Sequence, residues 1–247
     1  MDAFFATAAD PVTALILGVV FVAVIVRAAF GFGDVLVSVP VLVLFTEPRL
    51  VIPLMGLVGA TNALLLLLRE RTAVQWRPVR FLLMASVVGV PIGAWTLTWA
   101  SARTINVALG VTLIAFCLWS LRGRVMRKLT SPMWALPFGF GAGLMGGAVT
   151  ATGPPIVVYS TTQSWAPYQR RATMQGFFLP NGLFVLVSHF VAGLWTPEVL
   201  HTYALTVPIC IVAIPIGAAL AARWSRQRFE RLTLTVLLGT GVLLLFS

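Results

Sequence analysis

Between residues 12 and 246 the chain is a nearly unbroken succession of apolar runs joined by linkers of a few residues. A hydrocarbon core of roughly 30 Å takes about 20 helical residues to cross. Inside it every backbone polar group must be satisfied without water, which leaves helices as the economical solution for such runs. The pattern predicts an all-α integral membrane protein with no stretch left for a soluble domain. Composition agrees, at 59% hydrophobic and 10% charged residues with a mean hydropathy of +0.97, where soluble domains carry roughly 25% charged residues. Ten segments are expected, at 12–30, 35–45, 50–68, 79–100, 105–121, 134–149, 154–165, 172–194, 199–222 and 232–246. The second and seventh are too short to span, and each follows a glycine-rich break. Asp2 and Asp10 are the only charges among the first eleven residues. No cleaved signal peptide is expected, and the first helix is retained.

The order of segments repeats. A long segment ends at "GFGD", a short one carries Pro40, three spanning helices follow, and the half closes on the basic linker "RGRVMRK" at 122–128. In the second half "GFGAGLMGG" runs into "TATGPP", then a short segment and three more helices; "VPIG" at 90–93 and "IPIG" at 214–217 occupy matching places. This reads as an internal duplication, with residues 1–125 and 126–247 as two repeats of a single transport domain.

The net charge of +10 comes from 17 Lys+Arg against 7 Asp+Glu. The basic residues gather in short loops, which is a topology signal of membrane proteins and not a nucleic-acid surface, so no nucleic-acid partner is expected. If each short segment together with the long one before it makes one crossing, the loop charges divide 8 against 8. If the short segment instead returns the chain to the side where its half began, Arg49 and Arg103 stand on one side and 14 basic residues on the other. The second count obeys the positive-inside rule. It implies cytoplasmic basic loops, both termini outside, and an odd number of crossings per half. The halves are then inverted repeats, each a broken or re-entrant short helix plus three spanning helices.

Interrupted helices in inverted repeats characterise secondary transporters, whose site lies near the midplane. The Gly31–Phe32–Gly33 break frees backbone groups that must face protein or a water-filled cavity. A short helix starting after it, at Asp34, aims unpaired N–H groups and a partial positive charge into that cavity, an arrangement suited to an anion. At the second break Thr150 and Thr152 are expected as N-caps, with Gly153 at the turn and Pro154 and Pro155 in the first helical turn. Each break can equally be a site of close helix contact. Arg27 lies deep in the first run and needs a partner. Either it forms a structural ion pair with Asp34, or it sits nearer the surface, or its forked donors meet a sulfonate, sulfite or carboxylate. In the last case Asp34 tunes the arginine or carries a coupling proton. Gln175 and Asn181 are candidate anion donors or interhelical contacts, with His189 and Asn62 as lesser candidates. Cys117 and Cys210 read as buried free thiols. No phosphate-binding loop, HExxH or His/Cys cluster is present in the sequence, so neither enzyme activity nor a cofactor is expected, and a gradient must supply the drive.

At "AAFGFGDVLVSVPVL" (28–42) and "GFGAGLMGGAVTATGPPIVVY" (139–159), the chain resembles the TauE/SafE family of sulfite exporters and anion permeases. The family's glycine cluster is usually tighter; here Asp34 follows Gly33 and Ala148 follows Gly147. The resemblance implies a multi-pass transporter of the cell inner membrane that moves sulfite, an organosulfonate such as sulfoacetate, or another small organic anion. A proton or Na+ is the candidate coupling ion and a homodimer the candidate assembly. A passive anion channel and a carrier of small carboxylates are the rival expectations.

Overall fold

A computed structural model describes residues 10–122, 128–223 and 226–246, so most of the basic linker at 122–128 lies outside the described residues. The described chain is helical, with no strand among the described residues. In the first half α1 (Pro11–Phe30) and the nine-residue α2 (Asp34–Leu42) are followed by α3 (Pro48–Glu70), α4 (Trp76–Trp99) and α5 (Ala102–Leu121). In the second half α6 (Ala135–Val149) and the nine-residue α7 (Gly153–Thr161) are followed by α8 (Pro167–Val191), α9 (Pro197–Arg223) and α10 (Arg226–Leu244). Six helices among the described residues (α1, α3, α4, α5, α8 and α9) are long and apolar enough to cross a membrane, whereas α6 and the apolar part of α10, Leu234–Leu244, are shorter.

Local chemistry sets the ends. Asp10 accepts from Thr13 N at 3.2 Å ahead of Pro11, and Ser101 accepts from Thr104 N at 3.2 Å, each occupying one of the donors a helix start leaves free. The apolar pattern placed the start of the eighth segment at 172, but α8 opens at Pro167. Proline suits the first helical position, and the Gln169 side chain accepts from Ala166 N at 3.0 Å. Arg170 and Arg171, expected in a loop, therefore lie on α8. Arg226, Arg228 and Arg231 likewise lie on α10, and the seventh segment stops as a helix at Thr161 instead of 165.

The halves interleave. α4 packs along α6 and α1 along α9, α5 pairs with α10 and α3 with α8, and each short helix lies against the long helix before it. The α4–α6 contact is a seam of glycines: a Cβ on Gly143 would meet the Ser86 carbonyl oxygen at 2.5 Å, and Gly139 and Gly147 approach the backbone at Leu82 and Val90 as closely. Small residues at fourfold spacing let membrane helices approach backbone to backbone.

Two hydrogen bonds tie the ends of separate elements together in space. Leu129 N, ahead of α6, donates to Thr162 O just past α7 at 3.2 Å, so the second hairpin ends beside its own beginning. Gln75 N, between α3 and α4, donates to Thr173 Oγ1 near the start of α8 at 3.0 Å. At another junction Arg49 Nη2 donates to Thr98 O at 3.1 Å, and both residues share a cavity wall with Ala192, Gly193, Leu194 and Thr196.

Candidate functional site

Each half carries the same device, a long helix, a three-residue link and a nine-residue helix. Both links open with a residue in the left-handed conformation, Gly31 at φ +85° and Thr150 at φ +59°. For threonine that conformation is uncommon. It makes Thr150 the C-cap of α6, its N–H returning to Gly146 O at 2.9 Å and its hydroxyl donating to Ile52 O at 3.0 Å. Thr152 does precede α7, but its side chain makes no cap hydrogen bond. The N-cap expectation is corrected for Thr150, which the left-handed turn points at α3, and holds for Thr152 in position only, since two prolines at the start of α7 remove the donors its side chain would have served.

The two links meet. Gly33, Asp34, Val35 and Leu36 from the first, and Thr150, Ala151, Thr152 and Gly153 from the second, line one cavity of about 40 Å³ together with Arg27, residues of α3 and residues of α8. That is room for a few waters or one small oxyanion. The first i→i−4 bond of α2 runs from Val37 N to Gly33 O at 3.0 Å, so the N–H groups of Asp34, Val35 and Leu36 precede the ladder at the cavity wall.

Arg27 and Asp34 face each other across the first link. Arg27 Nη1 donates to Asp34 Oδ1 at 2.9 Å and to Oδ2 at 2.8 Å, and both residues are buried, at 5% and 2% exposure. Arg27 Nη2 donates to Gln175 Oε1 at 3.0 Å, while Gln175 Nε2 donates to Gly31 O. Gln175 thereby fastens the guanidinium to the break. The Phe178 ring lies over the guanidinium, 5.5 Å from Cζ to centroid, a cation–π distance. Arg27 Nε has no partner.

Of the expected site residues, Arg27, Gly33, Asp34, Thr150, Thr152 and Gly153 line the cavity directly, and Gly31 and Gln175 brace it. Asn181 stands behind the wall: its amide packs toward Gly146 beside Thr152 and Val185, is fully buried, and has neither atom hydrogen-bonded. Asn62, ranked low on sequence, donates from Nδ2 to Asp34 Oδ2 at 3.1 Å. A signal for it existed, since Asn62 and Asn181 each stand fourteen residues past the proline that opens α3 or α8. Phe178, Gly56, Gly59 and Gly182 carry no such mark, being apolar or small residues in apolar helices. Arg171, whose methylenes pack on Gly31, was also missed. His189 lies off the cavity wall, with Nε2 hydrogen-bonded to Gly147 O at 2.9 Å. Cys117 and Cys210 are buried free thiols.

A buried guanidinium paired with Asp34, the unladdered N–H groups at the start of α2 and a small cavity together suit a compact oxyanion. No curated protein and no solved structure matches the chain. The family described as "Sulfite exporter TauE/SafE" matches residues 16–244, nearly the whole chain, and the protein is therefore a membrane transporter belonging to the TauE/SafE sulfite exporter family.

Proposed function

We propose that this chain is a secondary transporter that moves a small anion, sulfite or an organosulfonate such as sulfoacetate, across the inner membrane by alternating access between inverted repeats. One observation carries the reading: breaks from the two halves line a single cavity that also holds Arg27 and Asp34. Arg27, Gly31, Gly33, Asp34, Thr150, Thr152, Gly153, Gln175 and Asn181 form the substrate site. In it Arg27 supplies the charge, the first turn of α2 supplies backbone donors, and Gln175 positions the guanidinium.

Three contacts support the inverted arrangement. Leu129 beside Thr162 fits a hairpin that returns to its starting side, and Gln75 beside Thr173 joins ends that share a side only if it does so. Arg49 and Thr98 beside residues 192–196 fit the same count at the opposite side. The side with Arg77, Arg80, Arg170 and Arg171 is cytoplasmic, and both termini face outward.

The test is counterflow. Purified protein in liposomes preloaded with unlabelled sulfite should transiently concentrate ³⁵S-sulfite from outside, with saturation. A passive channel equilibrates label without overshoot, and that result overturns the carrier reading.

A further inference from the structure

The Arg27–Asp34 pair is neutral as a unit, and among the described residues no other charged one lines the cavity. A monovalent anion arriving at Arg27 gives the site a net negative charge in a space of about 40 Å³, which leaves room for few waters to solvate it. Something must cancel that charge. Among the described side chains, the groups that face Asp34 or its partner are few. From α1 there is Arg27, already counted; from α3 the uncharged Asn62; from α9 the buried thiol Cys210. From α8 there are Gln175 and Arg171, the latter packed by its stem on Gly31 and engaged in contacts of its own. α5 carries the thiol Cys117, and the described side chains of α10 include no ionisable group.

A second observation identifies the canceling partner. Asn62 spends its amide N–H on Asp34, yet its carbonyl oxygen Oδ1 is buried with no donor to accept from. An ionised carboxylate has no hydrogen to give. A protonated one does: a carboxylic acid beside a primary amide accepts from Nδ2 on one oxygen and donates its O–H to Oδ1. Asn62 is thus half-satisfied by the Asp34 anion and fully satisfied by the neutral acid.

We propose that the anion and a proton occupy this site together: an anion oxygen replaces the Asp34 carboxylate on Arg27, and Asp34 takes one proton and turns its O–H to Asn62 Oδ1. Asp34 is then the counter-ion of the empty site and the proton carrier of the loaded one. Net charge is the same in both states, and one proton accompanies each negative charge that enters. The proposal rests on the anion-transport reading above.

The experiment measures sulfite affinity by thermal shift across pH for the full-length wild type and for Asp34→Asn. Sulfite takes up protons itself near neutrality, but equally for both proteins, so the ratio of the two dissociation constants isolates Asp34. That ratio, wild type over variant, should rise by about tenfold per pH unit wherever Asp34 is ionised in the empty protein. A ratio flat with pH overturns the coupling. Because Asp34→Asn leaves Arg27 unpaired and can fail to fold, wild-type protein provides an independent readout: the sulfite-induced infrared difference spectrum should gain a protonated-carboxyl C=O band that shifts in D₂O. Sulfite binding without that band also overturns the coupling. Absence of sulfite binding at every pH is a different failure, since it removes the sulfite reading itself.

Discussion

Arg27 shows how much one side chain is asked to do here, holding Asp34 with one nitrogen and Gln175 with another under the Phe178 ring. Lysine at this place keeps the charge and loses the fork. Arg27→Lys should therefore weaken sulfite binding by about tenfold, or 1.4 kcal/mol, with expression retained, as read by thermal shift. Arg27→Met alone leaves Asp34 buried and unpaired, which costs about 3–5 kcal/mol. The double variant Arg27→Met/Asp34→Leu should recover stability yet show no sulfite-dependent shift; a recovered double variant with wild-type affinity would remove Arg27 from the site. The pair itself was legible in the sequence because two charges seven residues apart in an apolar run have few ways to be satisfied. Gln175 against Arg27 and Asn62 against Asp34 were not, because those contacts span 148 and 28 residues and depend on how helices lean.

At the level of elements, glycine has two jobs that look alike on paper. Gly31 and Gly33 hold left-handed backbone at the first link, whereas Gly139, Gly143 and Gly147 belong to a packing seam against α4. The second-half run "GFGAGLMGG" thus reads as one break in the sequence, but in the fold it is helical and the break is Thr150–Thr152, two residues beyond its end. Two substitutions separate the roles. Gly153 has ordinary φ, and a Cβ there meets Phe32 at 3.7 Å and Leu36 at 3.9 Å, so Gly153→Val should fold and insert while its added methyls enter the cavity and abolish sulfite counterflow. Normal counterflow in that variant would make the links packing features only. Gly143→Ala forces α4 and α6 apart and should lower the thermal midpoint markedly, while Gly239→Ala, with nothing within 4 Å of its Cβ, should leave it unchanged or slightly raised. Equal effects of the two would discredit the seam. The existence of the two short helices was readable from length and flanking breaks; the caps of the second were not, since nothing in "TATGPP" announces a threonine in left-handed conformation.

For the whole molecule, the arrangement of its two ends decides between the topologies. Cysteines introduced as Ser101→Cys and Tyr168→Cys, at the α4–α5 and α7–α8 junctions, should react with an impermeant thiol reagent from opposite sides of the membrane, Ser101→Cys from outside. The native Cys117 and Cys210 are buried and should contribute little background. Same-side labelling would return the single-crossing count and end the inverted-repeat reading. Segment order and basic-loop counts read as a duplication in the sequence, but they carry no sign of the exchange of partners that sets α4 on α6 and α1 on α9. That exchange also decides how the interior is divided. One hydrophobic cluster is built mainly on α1, α2, α3, α5, α9 and α10, the other mainly on α4, α6, α7 and α8, and Phe32 touches both. The line between them crosses the polypeptide at several loops and ignores its midpoint. Val149 and Ala151 seat the second link in the same cluster as the helices flanking the first link, while α7 beyond it is rooted in the other, so an anion lodged at the links would rest in a clasp with a shared hinge and one jaw on a separate foundation.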